Sequence, residues 1–141
     1  MSNEQLFSIA NMVALLSWVA LVLLPRVPAV ARLVTGLVVP ALLAAVYVVL
    51  MATNWGSPGG FGSLDAVAQL FANRSLLLAG WIHYLAFDLL VGSWEARDAR
   101  ERGVPHLLLI PCLFLTFMFG PAGWLLYQGV RRGFARAGVP R

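Results

Sequence analysis

The chain has 141 residues, about one domain's worth, of which 60% are apolar and 11% charged; soluble domains run at about 45–50% and about 25%. That excludes a water-soluble globule, a disordered tail and a nucleic-acid module. The net charge of +4 rests on 10 basic residues that are all Arg, a usage that reflects coding bias rather than a nucleic-acid partner, and the single Cys112 excludes a disulfide framework or a cysteine metal cage.

A membrane span needs about 20 mainly apolar residues, and four stretches qualify. Residues 6–24 carry no charge and only Ser8, Asn11 and Ser17 as polar members. Pro25-Arg26-Val27-Pro28 then forces a tight turn, because proline cannot continue a helix. The second span, 33–52, is uncharged and rich in Val, Leu and Ala, and it leads into the flexible run Asn54-Trp55-Gly56-Ser57-Pro58-Gly59-Gly60. Leu64, Val67, Ala68 and Phe71 repeat at helical spacing behind Ser63, a natural N-cap, which predicts a short interfacial helix over 63–72.

The third span, 75–94, holds two ionisable residues, His83 and Asp88. It is expected to project past the membrane through Glu95–Arg102, solvated there by the i,i+4 pairs Arg97–Glu101 and Asp98–Arg102. Gly103 supplies a stop and Pro105 a restart. The fourth span, 107–130, is uncharged and broken in its middle by Gly120-Pro121. The predicted fold class is therefore an all-α membrane protein, a four-transmembrane-helix bundle, of four helices or of three plus one broken helix, forming a single domain over 1–141 with lipid around it. The N-terminus lacks a basic n-region, so the first apolar stretch is expected to be a retained span. With four spans the arginines divide five and five between the two sides, and the positive-inside rule gives no orientation.

A charged side chain within a span costs about 2.5–3.5 kcal/mol on insertion scales, so it has a partner or a job. Asp88 lies on the helical stripe Trp81, Tyr84, Asp88, Gly92, Glu95. Tyr84, one turn before it, is placed to donate a hydrogen bond to the carboxylate or to a ligand; Gly92, one turn after, leaves open space. His83 is about 140° around the helix and about 7.5 Å along it. That i,i+5 offset does not make a metal site, but it suits two groups facing different parts of one large ligand, one accepting and one donating a proton. The competing reading pairs Asp88 with Arg32, Arg74 or a helix end, and has His83 hydrogen-bond a carbonyl.

Asn11 is a candidate interhelical or ligand contact. Tyr127, after the break, is a candidate cavity-facing residue. Pro121 removes a backbone donor and frees the carbonyl about four residues earlier, which inside hydrocarbon must be satisfied or must line a cavity. Beside Gly120, the run from Phe114 to Phe119 containing Phe117 is expected to combine with Trp81 and Phe87 into a slot for a long, rigid, apolar molecule; the competing reading is aromatic packing against lipid.

The segment Trp81-Ile82-His83-Tyr84-Leu85-Ala86-Phe87-Asp88-Leu89-Leu90-Val91-Gly92 resembles the signature of the neoxanthin synthase-like (abscisic-acid-deficient) family of small membrane proteins. So do Asp98-Ala99-Arg100, Gly103-Val104-Pro105-His106 and Leu115-Thr116-Phe117-Met118-Phe119-Gly120-Pro121-Ala122-Gly123, with Leu6-Phe7-Ser8 and Phe61-Gly62-Ser63-Leu64. Plant members are linked to making neoxanthin from violaxanthin. The resemblance therefore implies a cofactor-free, redox-neutral isomerisation of a carotenoid epoxide or related isoprenoid. A base would remove a proton beside the epoxide and an acid would protonate its oxygen. Asp88 is the implied base, His83 or Tyr84 the implied proton donor, and Asn11 an orienting group. No plastid-targeting segment precedes the spans, so a bacterial inner membrane is the expected location. The alternative is a non-catalytic membrane protein that binds carotenoid or lipid or helps other membrane proteins assemble. A homodimer fits either reading.

Overall fold

The computed structural model describes residues 1–134, and every regular element among them is helical. They are α1 (Asn3–Leu23), α2 (Val30–Thr53), α3 (Leu64–Phe71), α4 (Arg74–Arg102), α5 (His106–Phe119) and α6 (Pro121–Arg131). Each start and stop has a local cause. Ser2 opens α1 with a capping box: its hydroxyl accepts from the Gln5 N–H at 3.2 Å while the Gln5 side chain accepts from the Ser2 N–H at 2.9 Å. Ser63 caps α3, Asn73 caps α4, and Gly103, at φ 69°, closes α4 in the left-handed conformation open to glycine.

The first nine residues of α2, Val30–Val38, are wound as a π-helix, and the Val39 N–H reaches back five residues to the Val34 carbonyl. Pro40 supplies a reason, since it has no N–H and its ring crowds the preceding turn. The wider turn, together with the missing side chain of Gly36, leaves a seat for Arg97, which donates to the Ala31 carbonyl at 2.7 Å. Thr35, fully buried there, donates to the Val30 carbonyl at 3.0 Å and accepts from Ser93 of α4 at 2.7 Å.

Helix α4 is the axis, touching every other helix. Its Ile82, Leu85 and Leu89 are buried, and so are Ala10, Ala14 and Ser17 of the neighbouring α1, small residues of the kind that let two helices approach closely. The outer faces stay apolar: Leu15, Leu16, Leu42, Val48 and Val49 are all exposed, as suits an exterior facing lipid. Helices α1, α2 and α4, of 21, 24 and 29 residues with mean hydropathies of 2.2, 2.5 and 1.5, are each long and apolar enough to cross a membrane.

The expected fourth span over 107–130 is not one broken helix. Helix α5 has 14 residues, about 21 Å, and α6 has 11, about 17 Å, each short of about 30 Å of hydrocarbon. The two run antiparallel. Going along α5, Thr116 meets Glu95 and Gly120 meets Asp88, further toward the start of α4. Going along α6 the order reverses: Tyr127 and Arg131 meet Asp98, and the Phe134 carbonyl meets Arg102. Residues 106–131 therefore form a helical hairpin with its tip at Gly120, beside the middle of α4. The reversal is stored at that tip, where Gly120 sits at φ 28° and ψ −84°. Gly123 lets the arms touch, for a Cβ there would run into Thr116.

The hairpin also redistributes charge. Seven of the eight arginines among the described residues, Arg26, Arg32, Arg97, Arg100, Arg102, Arg131 and Arg132, gather at the end where α4 finishes; Arg74 lies at the other end, paired with Glu4.

Candidate functional site

Four side chains converge on the hairpin tip from α1 and α4. Trp81 donates its indole N–H to Asn11 Oδ1 at 2.9 Å, tying α4 to α1. One turn on, the Tyr84 ring lies 5.2 Å from the Trp81 ring, and its hydroxyl reaches the main-chain carbonyls of Phe117, at 3.2 Å, and Met118, at 3.1 Å. The Phe117 carbonyl is the acceptor that the missing N–H of Pro121 would have served in a continuous helix. Tyr84 thus satisfies an orphan carbonyl that hydrocarbon would penalise, and the same phenol lies close enough to Asp88 to interact with its carboxylate.

Asp88 follows one turn later. Its carboxylate lies directly on the Cα of Gly120: a Cβ placed there would sit 2.5 Å from Oδ1 and 3.1 Å from Oδ2. Oδ2 is buried and makes no hydrogen bond among the described residues. Among the described residues no arginine answers it. Arg74 is paired with Glu4 near the start of α4, and Arg32 lies at the opposite end of the bundle. What the fold offers the carboxylate is the Tyr84 phenol nearby and the N-terminus of α6, where aligned peptide dipoles favour negative charge. Ends of interrupted helices meeting at mid-depth are how other membrane proteins build polar sites inside hydrocarbon.

Glu95 and Asp98, expected to be solvated, are instead 0% and 2% exposed, because α5 covers the first and α6 folds back over the second. Glu95 accepts a hydrogen bond from Thr116, whose hydroxyl lies 3.0 and 3.1 Å from its two oxygens. Asp98 accepts from Tyr127 at 2.8 Å, Arg102 at 2.9 Å and Arg131 at 2.9 Å. The Arg131 guanidinium also lies 5.0 Å over the Trp94 ring, which meets Tyr127 edge-on. This cluster clamps the returning arm of the hairpin. The expected partner of Asp98, Arg102, is present; Arg97 instead braces α2.

The sequence candidates thus divide by place. Asp88, Tyr84, Trp81, Asn11, Phe117 and Gly120 come together. His83 does not join them: it is exposed on the α2 side, stacked on Phe87 at 4.5 Å and facing Tyr47 at 5.6 Å. Tyr127, expected to face a cavity, is fully buried in the Asp98 cluster. Gly92 gives no open space beside the carboxylate; the Trp18 indole fills it, and a side chain at 92 would collide with that ring. Trp18 in turn packs on Phe117, with centroids 5.6 Å apart. Sequence reasoning missed Glu95 and Thr116 as buried polar partners, although Glu95 shares the helical stripe of Asp88.

A sequence model of the ABA DEFICIENT 4-like family matches residues 5–127. No curated protein and no solved structure matches the chain. The matched residues include Asn11, the Trp81–Gly92 segment and the hairpin tip, the same motifs that carry the resemblance read from the sequence. The chain belongs to the ABA DEFICIENT 4-like family.

Proposed function

We propose that the protein is a membrane isomerase that rearranges the epoxide of a carotenoid or related isoprenoid with no net oxidation or reduction. One observation carries this reading: midway along a helix long enough to cross a membrane, the Asp88 carboxylate has a buried oxygen that meets no hydrogen-bond donor in bonding geometry and no cation among the described residues, with only the Tyr84 phenol close by. A carboxylate retained for structure is paired, as Asp98 is three times over. One left unsatisfied at such depth points to a guest molecule.

The approach to it is apolar and flat. An open groove runs between α1 and α4, its mouth formed by Asn3 and the Glu4–Arg74 pair and its walls by Phe7, Leu77, Leu78 and Trp81. Its aromatic wall continues from Trp81 through Tyr84 to the hairpin tip. A polyene lying along this wall would bring its ring end to Asp88. There the carboxylate takes a proton from the carbon beside the epoxide, and the C–H electron pair becomes a new double bond. The adjacent C–O bond breaks, and the oxygen, kept by the other carbon, takes the Tyr84 phenolic proton. Asp88 then returns its proton to the phenolate, so atoms and electrons balance. Tyr84 replaces His83 as the proton donor because it is the one beside Asp88. The membrane in this proposal is a bacterial inner membrane, with the arginine-rich end at the cytoplasm.

The test is turnover. Membranes containing the protein are incubated with violaxanthin and the pigments separated by chromatography. The expected result is an allenic alcohol of unchanged mass. Violaxanthin that copurifies with the protein and is never converted overturns the enzyme reading in favour of carotenoid binding alone.

A further inference from the structure

At the arginine-rich end a second site is built that the Asp88 chemistry does not use. The turn after α1, the π-wound start of α2, the last turns of α4 and the start of α5 enclose a cavity of about 200 Å³. At ~30 Å³ per water it has room for about seven waters, enough for a phosphate ester. Its floor is apolar, formed by Leu21, Val30 and Leu109, all buried. Its rim carries Arg32, Arg97 and Arg100 against a single carboxylate, Glu101, so two positive charges are left in excess.

These guanidinium groups are held in place. Arg97 is braced on the Ala31 carbonyl and Arg100 on the Pro25 carbonyl. His106, also on the rim, donates its Nε2–H to the Val22 carbonyl at 2.8 Å. Arg32, exposed, makes no hydrogen bond or ion pair among the described residues. The depth is also right. Asp88 is the middle residue of α4, and Arg100 lies 12 residues beyond it, about 18 Å along the helix, just outside a hydrocarbon half-thickness of about 15 Å. A charged rim over an apolar floor at that level recognises a molecule with an anionic head and a hydrocarbon tail.

We infer that this cavity binds the phosphate head group of an anionic membrane lipid, held by Arg32, Arg97 and Arg100, with its acyl chain against the apolar floor. Arg32 is the group free to close on the phosphate. The inference stands apart from the isomerase reading.

The test titrates the full-length, detergent-purified protein with short-chain phosphatidylglycerol, phosphatidylcholine and inorganic phosphate, counting bound molecules by native mass spectrometry. Salt is held at 0.3 M, where screening acts within about 6 Å and diffuse surface attraction is weak. One phosphatidylglycerol per chain is expected, bound at least about tenfold more tightly than phosphatidylcholine. Arg32→Gln should lose about tenfold, the size of one charged hydrogen bond, while Arg26→Gln, an exposed arginine outside the cavity, should stay within about twofold. Equal binding of the two lipids, or equal losses in both variants, overturns the site. Inorganic phosphate displacing phosphatidylglycerol at millimolar concentration overturns the assignment to lipid.

Discussion

Asp88→Asn is expected to lower turnover of the carotenoid epoxide by about 10²–10⁴-fold, the range a positioned general base contributes. The change keeps the shape at Gly120 and removes only the basic oxygen, so folding and carotenoid retention should persist. Tyr84→Phe should also reduce turnover, and it carries a structural cost of about 1–3 kcal/mol, because the carbonyls of Phe117 and Met118 lose the hydroxyl that serves them. His83→Ala should leave turnover near wild type, since its ring stacks on Phe87 away from the hairpin tip. Rates measured in membranes, with bound pigment read from visible absorption, separate these cases. If Asp88→Asn turns over at the wild-type rate, the carboxylate is not the base.

The second large effect concerns folding. Gly120→Val is expected to destabilise the protein by about 2–5 kcal/mol. One part is conformational: φ 28° at residue 120 is costly for any residue bearing a Cβ, by about 1–2 kcal/mol. The other is contact, because the new Cβ falls 2.5 Å from Asp88 Oδ1, and overpacking of this kind costs about 1–3 kcal/mol. The two parts separate in a double-mutant cycle. In an Asp88→Ala background the contact cost should vanish and the backbone cost remain. Thermal unfolding in detergent reads both, and equal penalties in the two backgrounds would show that residue 120 does not press on the carboxylate.

Much of the architecture was legible from residue chemistry. The helices expected over 6–24, 33–52 and 63–72 appear as Asn3–Leu23, Val30–Thr53 and Leu64–Phe71, because apolar length, proline turns and serine caps are local signals. The projection of α4 to Arg102 and its stop at Gly103 are local too. The hairpin was not legible. Residues 107–130 have the length and hydropathy of one span, and hydropathy carries no sense of direction, while the reversal depends on one backbone conformation at Gly120. Everything downstream of that reversal was hidden with it. Glu95 and Asp98 read as a solvated helix end because their covering residues, Thr116, Tyr127 and Arg131, lie 21 to 33 positions further along the chain. The stripe through Trp81, Tyr84 and Asp88 was visible from helical spacing alone. The place of His83 off that stripe was visible in the same way, and only its packing between Phe87 and Tyr47 needed the tertiary structure.

The hairpin is what brings Gly120 to Asp88, and its topology can be read directly. Single cysteines at Ala29, Gly62 and Gly133, in a Cys112→Ser background, are exposed in intact bacterial cells to a membrane-impermeant maleimide. With α5 and α6 returning to the side they left, and the arginine-rich end inside, only the cysteine at 62 should label, and those at 29 and 133 should label together once the membrane is opened. Labelling of 133 together with 62, and not with 29, would mean that the chain crosses the membrane after Gly120 and that no hairpin tip meets Asp88.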